Sequence, residues 1–394
     1  MTEVTREQIR QFRIHSHHLD RWYGIEEAVS AAGACGFQNS PPGAWETSLC
    51  NRISDVTHKE AEALLEREKA LLQAWSFRGA PVVFPKDESN VFLSALVPEG
   101  EEPWIYTRGI DLALDFLQMP FEELLFLLGQ VIGKLDGKVV KSKAALDQLL
   151  AQWMLPLIPE DKRNLWTSPS MYGSSGSQTV GGAAVSFLLR PCAFMGLVVF
   201  GKREGISPTF TSYKGWAGEF PEGKEYCRRK LAHKYLHCFG PGTVREFGAW
   251  LGCSPAQAGR IWQQAANELE PVAVGGKERY ILREDRELLL SPVHPERSLH
   301  LLGGHDPYLG LQDRELILEE KNLQRQIWQT VSNPGAVLWQ GVIAGMWKSR
   351  KKGKELAVEV TLWNEQDIPK REIQEQAEKI AFFHQLKPGG IIFK

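Results

Sequence analysis

The chain has 394 residues and a formal net charge of -2, which is long enough for about two to four domains. The near-neutral charge excludes electrostatic attraction of the whole molecule to nucleic acid, so any such binding has to come from local basic patches. Its six cysteines form no Cys-X-X-Cys pair, and no signal segment or membrane-length apolar run is evident. These features predict a soluble, cytoplasmic protein.

Residues 1–110 combine helical patterns with one hairpin pattern. Helices are predicted over 5–18, 25–34, 45–53 and 59–73, and an apolar hairpin is predicted over 75–85. Gly and Pro residues in the stretch 36–43 separate the second helix from the third. Helices followed by a hairpin are the order of a winged helix, so residues 1–110 are predicted to form a first winged-helix domain.

A second copy of this order is predicted for residues 111–220. Three helices and then a hairpin are predicted over 121–132, 143–153, 185–196 and 197–210. Ser142 caps the second helix, and Lys202 and Arg203 stand at the tip of the hairpin. The Gly- and Ser-rich stretch 168–182 is interpreted as an exposed connector. No Lys-Ser or Lys-Thr closes it, which argues against a nucleotide-binding P-loop.

Residues 221–290 carry the clearest pattern, a third winged helix preceded by a helix over 226–237. Its signals are helical spacing at Val244, Phe247 and Leu251, a helix end at Gly252, a helix start at Ser254-Pro255 and a hairpin turn at Gly275-Gly276. Gln257, Arg260 and Gln264 share one face of the second helix, where they could reach a DNA groove. Winged helices also bind proteins, so this alternative stays open.

Residues 291–394 change to short strands. The predicted strands are 336–339, 342–347, 356–362 and 390–393, and a helix over 370–383 places Ile373, Ala377 and Ile380 on one face. We interpret this region as a small barrel or sheet with that helical stripe in its core. The densest basic run, 348–354, lies at a hairpin tip between two of the strands.

Several short motifs, taken together in this order, resemble one family. They are Arg78-Gly79 before a hairpin ending at Pro85, the segment 239–247, Asp306-Pro-Tyr-Leu with Asp313-Arg314 behind it, and Gly345-Met-Trp. The chain resembles winged-helix DNA glycosylases of the AlkZ/YcaQ type over nearly its whole length. The resemblance implies a helix-rich α+β fold of three tandem winged helices and a C-terminal β-barrel in a C-shape. It also implies hydrolysis of the N-glycosidic bond of alkylated purines, including those in interstrand crosslinks, without a cofactor.

The family's catalytic signature is a Gln, an apolar residue and then a Gln or Asp, which this chain reads as Gln38, Asn39 and Ser40. Gln38 and Ser40 are therefore the candidate catalytic residues. Asn39 departs from the apolar position, Ser40 replaces the second amide or carboxylate, and Val82 stands where the family often carries a hairpin His. An alkylated purine is a good leaving group, so a water positioned by an amide can suffice.

The predicted partner is double-stranded DNA carrying damage, bound by a monomer. The side chains predicted to contact it are Asn39, Arg78, Lys141, Lys143, Lys202, Arg203, Arg260, Lys277, Lys348, Arg350, Lys351 and Lys352. Three hypotheses remain: a glycosylase for labile cationic lesions, a DNA-binding protein that recognises damage without cutting, and a scaffold for protein partners.

The sequence predicts neither a metal site nor a thiol nucleophile. His15 and His18 are the only histidines of the cluster 15–18 that can share a helix face, and no further ligand stands at suitable spacing. Cysteines near His233 and His237 are expected to be buried and inert. Asp306, which precedes a Pro, is interpreted as a turn cap.

Overall fold

The computed structural model describes residues 1–172, 178–205, 207–221, 223–329, 331–363 and 368–394. The predicted helix-rich α+β class is confirmed. The centre of the stretch predicted as a connector, residues 173–177, lies outside the described residues. Among the described helices, none combines the length and apolar character needed to span a bilayer.

The first region carries the elements β1 Thr2–Glu3, α1 Arg6–Ser16, α2 Ala28–Cys35, β2 Phe37–Gln38, α3 Ala44–Cys50, α4 His58–Glu62, β3 Leu71–Trp75, β4 Pro81–Pro85 and α5 Ser89–Phe92. The strands β2, β4 and β3 form an antiparallel sheet in that order. The helix predicted over 59–73 is wrong at its end, because helical structure stops at Arg67 and Leu71 begins a strand. Leu71 and Leu72 pack into different cores on the two faces of β3, which successive residues of a strand can do.

The second region has its own core and the elements β5 Val140–Lys141, β6 Val198–Phe200, β7 Thr209–Ser212, α6 Asp111–Leu117, α7 Phe121–Ile132, α8 Lys143–Met154, α9 Arg163–Thr167, α10 Val180–Phe194 and α11 Tyr213–Ala217. The predicted helices over 121–132 and 143–153 are confirmed, and Ser142 caps α8. The strands pair in the order β5, β7, β6. Trp75 of β3 stacks on Phe210 of β7 with ring centroids 5.3 Å apart, which packs the first two regions together.

The third region contains α12 Lys224–Phe239, α13 Val244–Leu251, α14 Pro255–Gln263, β8 Leu269–Val274, β9 Lys277–Leu282 and α15 Arg286–Leu290. The predicted two helices and hairpin are confirmed. Thr243 forms a capping box with Glu246, and Ser254 caps α14. Gly275 and Gly276 turn the hairpin with φ of 56° and 72°, values that favour glycine. β1 adds to this hairpin as a parallel strand beside β8.

The last region contains β10 Leu299–Leu302, α16 Lys321–Ile327, β11 Gly335–Trp339, β12 Val342–Lys352, β13 Glu355–Leu362, α17 Lys370–Phe383 and β14 Lys387–Phe393. The five strands pair in chain order. Within the described ranges β10 and β14 are not paired with each other, so this sheet is open rather than the predicted closed barrel. The stripe of Ile373, Ala377 and Ile380 is buried, as predicted for core residues.

Candidate active site

A cavity of about 180 Å³ lies where the first, third and last regions meet. It is bordered by β2, the turn between β3 and β4, the end of α13 and the segment after β10. Its polar and aromatic lining includes Gln38, Arg78, Trp250, His305, Arg314 and Trp328. The volume is below the roughly 300–1,000 Å³ of pockets for drug-sized ligands, so the cavity suits one small group.

Gln38 reaches this cavity from a tightly packed strand. Gly36 precedes the strand with φ of 75°, and a Cβ there would lie 2.6 Å from Val82 Cγ1. Gln38 pairs with Val82 across the ladder, and Val82 is fully buried at the position where the resemblance places a histidine. The backbone of Gln38 is therefore held by packing on one side while its side chain lines the cavity.

Arg78 occupies the turn between β3 and β4. Its backbone is left-handed, with φ of 56°, and its guanidinium donates to the carbonyl oxygen of Trp250. It also donates to Gln38 Oε1 at 3.4 Å. Burial lowers the pKa of Arg78 to about 10, so the side chain stays cationic at neutral pH. In the described part of the chain no carboxylate pairs with it.

His305 completes the group from the other end of the sequence. Gln38 Nε2 donates to His305 Nδ1 at 3.1 Å. Burial, followed by the nearby charge of Arg78, lowers the pKa of His305 below its ordinary value. The imidazole is therefore neutral at pH 7. Sequence analysis missed His305, and its one signal was its position directly before the motif Asp306-Pro-Tyr-Leu.

A buried ion pair fixes the segment that carries His305. Arg52 donates to both carboxylate oxygens of Asp306, at 2.8 and 2.9 Å, and neither side chain is more than 1% exposed. Asp306 also accepts the backbone N–H of Tyr308 at 3.0 Å, as predicted for a turn cap. Asp306 is the one carboxylate that borders the cavity among its described lining residues, and it is committed to Arg52. The cavity is therefore positively charged.

The other two residues of the motif do not join Gln38. Asn39, which directly follows β2, is buried and does not border the cavity of Gln38; it donates to Gln73 Oε1 at 3.0 Å and accepts the Gly43 N–H at 2.7 Å. Both ends of its amide are thus occupied inside the protein, which argues against the predicted DNA contact. Ser40 is half-buried and does not border the cavity of Gln38 in the described structure.

Asn39 instead faces a second cavity of about 220 Å³. Its charged lining includes Glu46, Glu66 and Arg203. Arg203 contacts Glu46 at 2.9 Å, and Lys202, beside it, contacts Glu66 at 3.1 Å. Lys202 and Arg203, the two cations predicted at the tip of the hairpin formed by β6 and β7, are therefore paired within the protein.

Three further predicted DNA-binding residues also have acidic partners. Lys143 contacts Asp147 at 2.9 Å, exposed Lys141 contacts Glu204 at 2.7 Å, and Arg260 contacts Glu102 at 2.6 Å. The predicted groove-facing surface of α14 is wrong for Gln257, which is fully buried and donates to the carbonyl oxygen of Leu96. The segment 96–102 covers this face, and the pairing of Arg260 argues against its predicted DNA contact.

The remaining predicted cations are exposed. They are Lys277 at the start of β9 and Lys348, Arg350, Lys351 and Lys352 on the hairpin formed by β12 and β13. Within the described ranges none of the five lies within ion-pair distance of a carboxylate. These side chains are free to contact phosphate groups.

One cluster could hold a metal ion, and it differs from the histidine pair considered in the sequence. His15 instead pairs with Asp20 at 2.8 Å. The ligand atoms of His17, Cys35 and Cys238 lie within 4.8 Å of one another and are completely buried. His17 Nε2 donates to the Cys238 carbonyl oxygen at 3.1 Å, and Cys35 Sγ lies 3.8 Å from His17 Nδ1. A thiol hydrogen bond accounts for this arrangement.

Comparisons of sequence and of structure both find similarity to DNA glycosylases of the AlkZ type. The profile of a family described as DNA glycosylase AlkZ-like matches residues 31–383. A solved structure of Streptomyces sahachiroi DNA glycosylase AlkZ is similar over 100% of both chains, with a TM-score of 0.77 and 20% sequence identity. No curated protein sequence matches the chain. At this identity the structural likeness shows a shared fold, while the profile covers most of the sequence.

Proposed function

The chain belongs to the AlkZ-like DNA glycosylase family, and we propose that it hydrolyses the N-glycosidic bond of alkylated purines in duplex DNA, including those in interstrand crosslinks. The observation that carries this proposal is the placement of Gln38. Its amide lies in a small cavity between a cationic Arg78 and a neutral His305. The matching motif residue thus lies in a cavity where three regions of the fold meet.

The chemistry needs little from the protein. A purine alkylated at a ring nitrogen is cationic and leaves readily, and the sugar passes through an oxocarbenium-like transition state. Gln38 Oε1 retains a lone pair that can accept a hydrogen bond from a water and hold it near the anomeric carbon. No uncommitted carboxylate borders the cavity in the described structure, so stabilisation of the positive sugar is weak. The substrate class is therefore lesions that are already labile.

DNA binding is proposed to use the exposed cations rather than the paired ones. Within the described ranges, the exposed side chains of Lys277, Lys351 and Lys352 have no carboxylate within ion-pair distance. We interpret the three helix-and-hairpin units, approximately residues 1–110, 111–220 and 221–290, as winged helices arranged around the duplex. The protein is proposed to act in the cytoplasm as a monomer. Contacts to phosphates hold the DNA in position without reading its sequence.

Base release tests the proposal. Purified protein is incubated with duplex DNA carrying 7-methylguanine, and free base and abasic sites are quantified. Gln38→Ala is expected to lower the rate on the order of a hundredfold or more, because it removes the group that orients water. Gln374→Ala, at an exposed glutamine of α17, is the matched control and keeps the wild-type rate. Equal release by wild type and Gln38→Ala would contradict the proposal.

The chemistry and position of Ser40 favour one alternative function, in which the protein recognises damaged DNA without cutting it. The residue lacks the amide or carboxylate of the motif and does not border the cavity. Salt-sensitive duplex binding without base release would support this alternative, because phosphate contacts release counterions. Absence of salt-sensitive binding would favour a scaffold for protein partners.

A further inference from the structure

We propose that His305 is a positioning residue that locks the amide of Gln38 with its oxygen available to the reacting water. This inference rests on the proposed function and assigns the support of Gln38 to a residue 267 positions away in the sequence. The neighbouring motif residue cannot give that support, because Ser40 does not border the cavity. His305 acts through Gln38 rather than on the substrate.

The orientation of the amide follows from its two neighbours. A guanidinium has only N–H donors, so the atom of Gln38 that lies 3.4 Å from Arg78 has to be the acceptor Oε1. The amide nitrogen then faces His305, and because it only donates, His305 Nδ1 has to accept. The imidazole is consequently neutral with its proton on Nε2. Protonation of Nδ1 would place two donors against each other and release the amide.

The backbone around His305 leaves it little freedom. A Cβ on Gly304 would lie 2.5 Å from the Asn333 carbonyl oxygen and 2.8 Å from that of Pro334. On the other side, Asp306 is held by the buried pair with Arg52. The ring is thus presented to Gln38 by a segment fixed at both ends.

Other charged and titratable groups border the cavity of His305. Arg78 faces it from the turn between β3 and β4, and Arg314 borders the same cavity while lying over Trp328. Asp306 is bound to Arg52. Cys35 also borders the cavity and is directed at His17. Burial opposes ionisation of Cys35, but its contacts with Cys238 and His17 hold its pKa well below the ordinary value. Both arginines remain cationic across the assay range, so protonation of His305 is the change that opposes the Gln38 hydrogen bond as the pH falls.

Base release is expected to decrease at acid pH, because protonation of His305 removes the acceptor for Gln38. Burial and Arg78 lower the pKa of His305 below about 6.5, so the neutral form predominates at neutral pH. Base release by wild type is expected to be constant from pH 8 down to about 6.5. Below the pKa of His305 it falls about tenfold per pH unit, because the neutral fraction falls in that proportion.

Two variants separate positioning from a structural role. His305→Ala removes the acceptor and is expected to lower base release about tenfold to a hundredfold, with the acid-side fall lost and duplex binding unchanged. In His305→Asn, Oδ1 lies near the position of Nδ1 and accepts from Gln38 at every pH. This variant is expected to keep base release within about tenfold of wild type and to show a flat profile.

The experiment measures initial rates of 7-methylguanine release from pH 5 to 8, corrected for protein-free DNA, with melting temperatures as a folding check. A His305→Ala profile that coincides with wild type, or an acid-side fall retained in His305→Asn, would overturn the inference. Wild type that releases no base at any pH would refute the proposed function instead. In that case ring ¹⁵N spectra still decide, because a proton on Nδ1 of wild-type His305 at pH 7.5 contradicts the arrangement.

Discussion

Two cavities of similar size are lined by the neighbouring residues Gln38 and Asn39, with volumes of about 180 and 220 Å³. In the cavity of Asn39, Arg203 contacts Glu46 at 2.9 Å and the amide of Asn39 is bonded at both ends. In the cavity of Gln38, the guanidinium of Arg78 has no carboxylate partner within the described structure.

This difference between the two cavities distinguishes groups that stabilise the fold from groups that can act on another molecule. Groups whose charge and hydrogen bonds are satisfied inside the protein stabilise the contact between regions, as Glu46 does between α3 and the loop after β6. A buried cation without a carboxylate partner is costly to the fold. Its presence beside an oriented amide is therefore a mark of function.

Of the changes that test this comparison, the largest effect is expected from Arg78→Met, which removes from the first cavity the guanidinium that contacts Gln38. Gln38 then loses the donor that sets its amide, and base release should fall on the order of a hundredfold. Arg78→Lys keeps the charge without the planar fork and should give an intermediate rate. Initial rates of 7-methylguanine release check this, and wild-type rates in Arg78→Met would remove the functional distinction between the cavities.

A smaller effect, on stability rather than activity, is expected in the second cavity. Glu46→Gln removes the charge that faces Arg203 and should lower the free energy of unfolding by about 1–3 kcal/mol. Urea unfolding measures that loss, while base release per folded molecule should match wild type. Lost activity with unchanged stability would reverse the roles assigned to the two cavities.

The smallest effect is expected at the exposed hairpin. Replacing Lys351 and Lys352 with Ala should weaken duplex binding a few-fold without changing sequence preference, and lower the slope of log affinity against log salt by about two. Lys202→Ala is the matched control, because that side chain already contacts Glu66 at 3.1 Å. Anisotropy titrations at several salt concentrations measure both, and an unchanged slope in the double variant would exclude this hairpin from the DNA contact.

Local signals explain what could be predicted from the sequence. The helices and hairpin over 244–282 follow from the Thr243 and Ser254 caps and from the Gly275-Gly276 turn, all read within a few neighbouring residues. The strand Leu299–Leu302 was missed, because it is buried throughout and lacks apolar–polar alternation.

Non-local packing explains what was missed at the site. Gln38 was found through its motif, but the approach of His305 depends on the pairing of Arg52 with Asp306, which no sequence spacing encodes. The same limit applies to Arg260, whose polar face looks free in the sequence and is covered by the segment 96–102 in the fold. Charge alone could not separate the paired cations from the exposed ones.

The hydrogen bond between Gln38 and His305 spans 267 residues, and this separation has a consequence for biogenesis. A ribosome adding roughly 5–20 residues per second needs about 13–53 s to make the intervening chain. Nascent and truncated chains that end before His305 therefore contain Gln38 without the hydrogen bond that orients its amide. Any hydrolysis that depends on this bond therefore requires a chain that extends at least to His305.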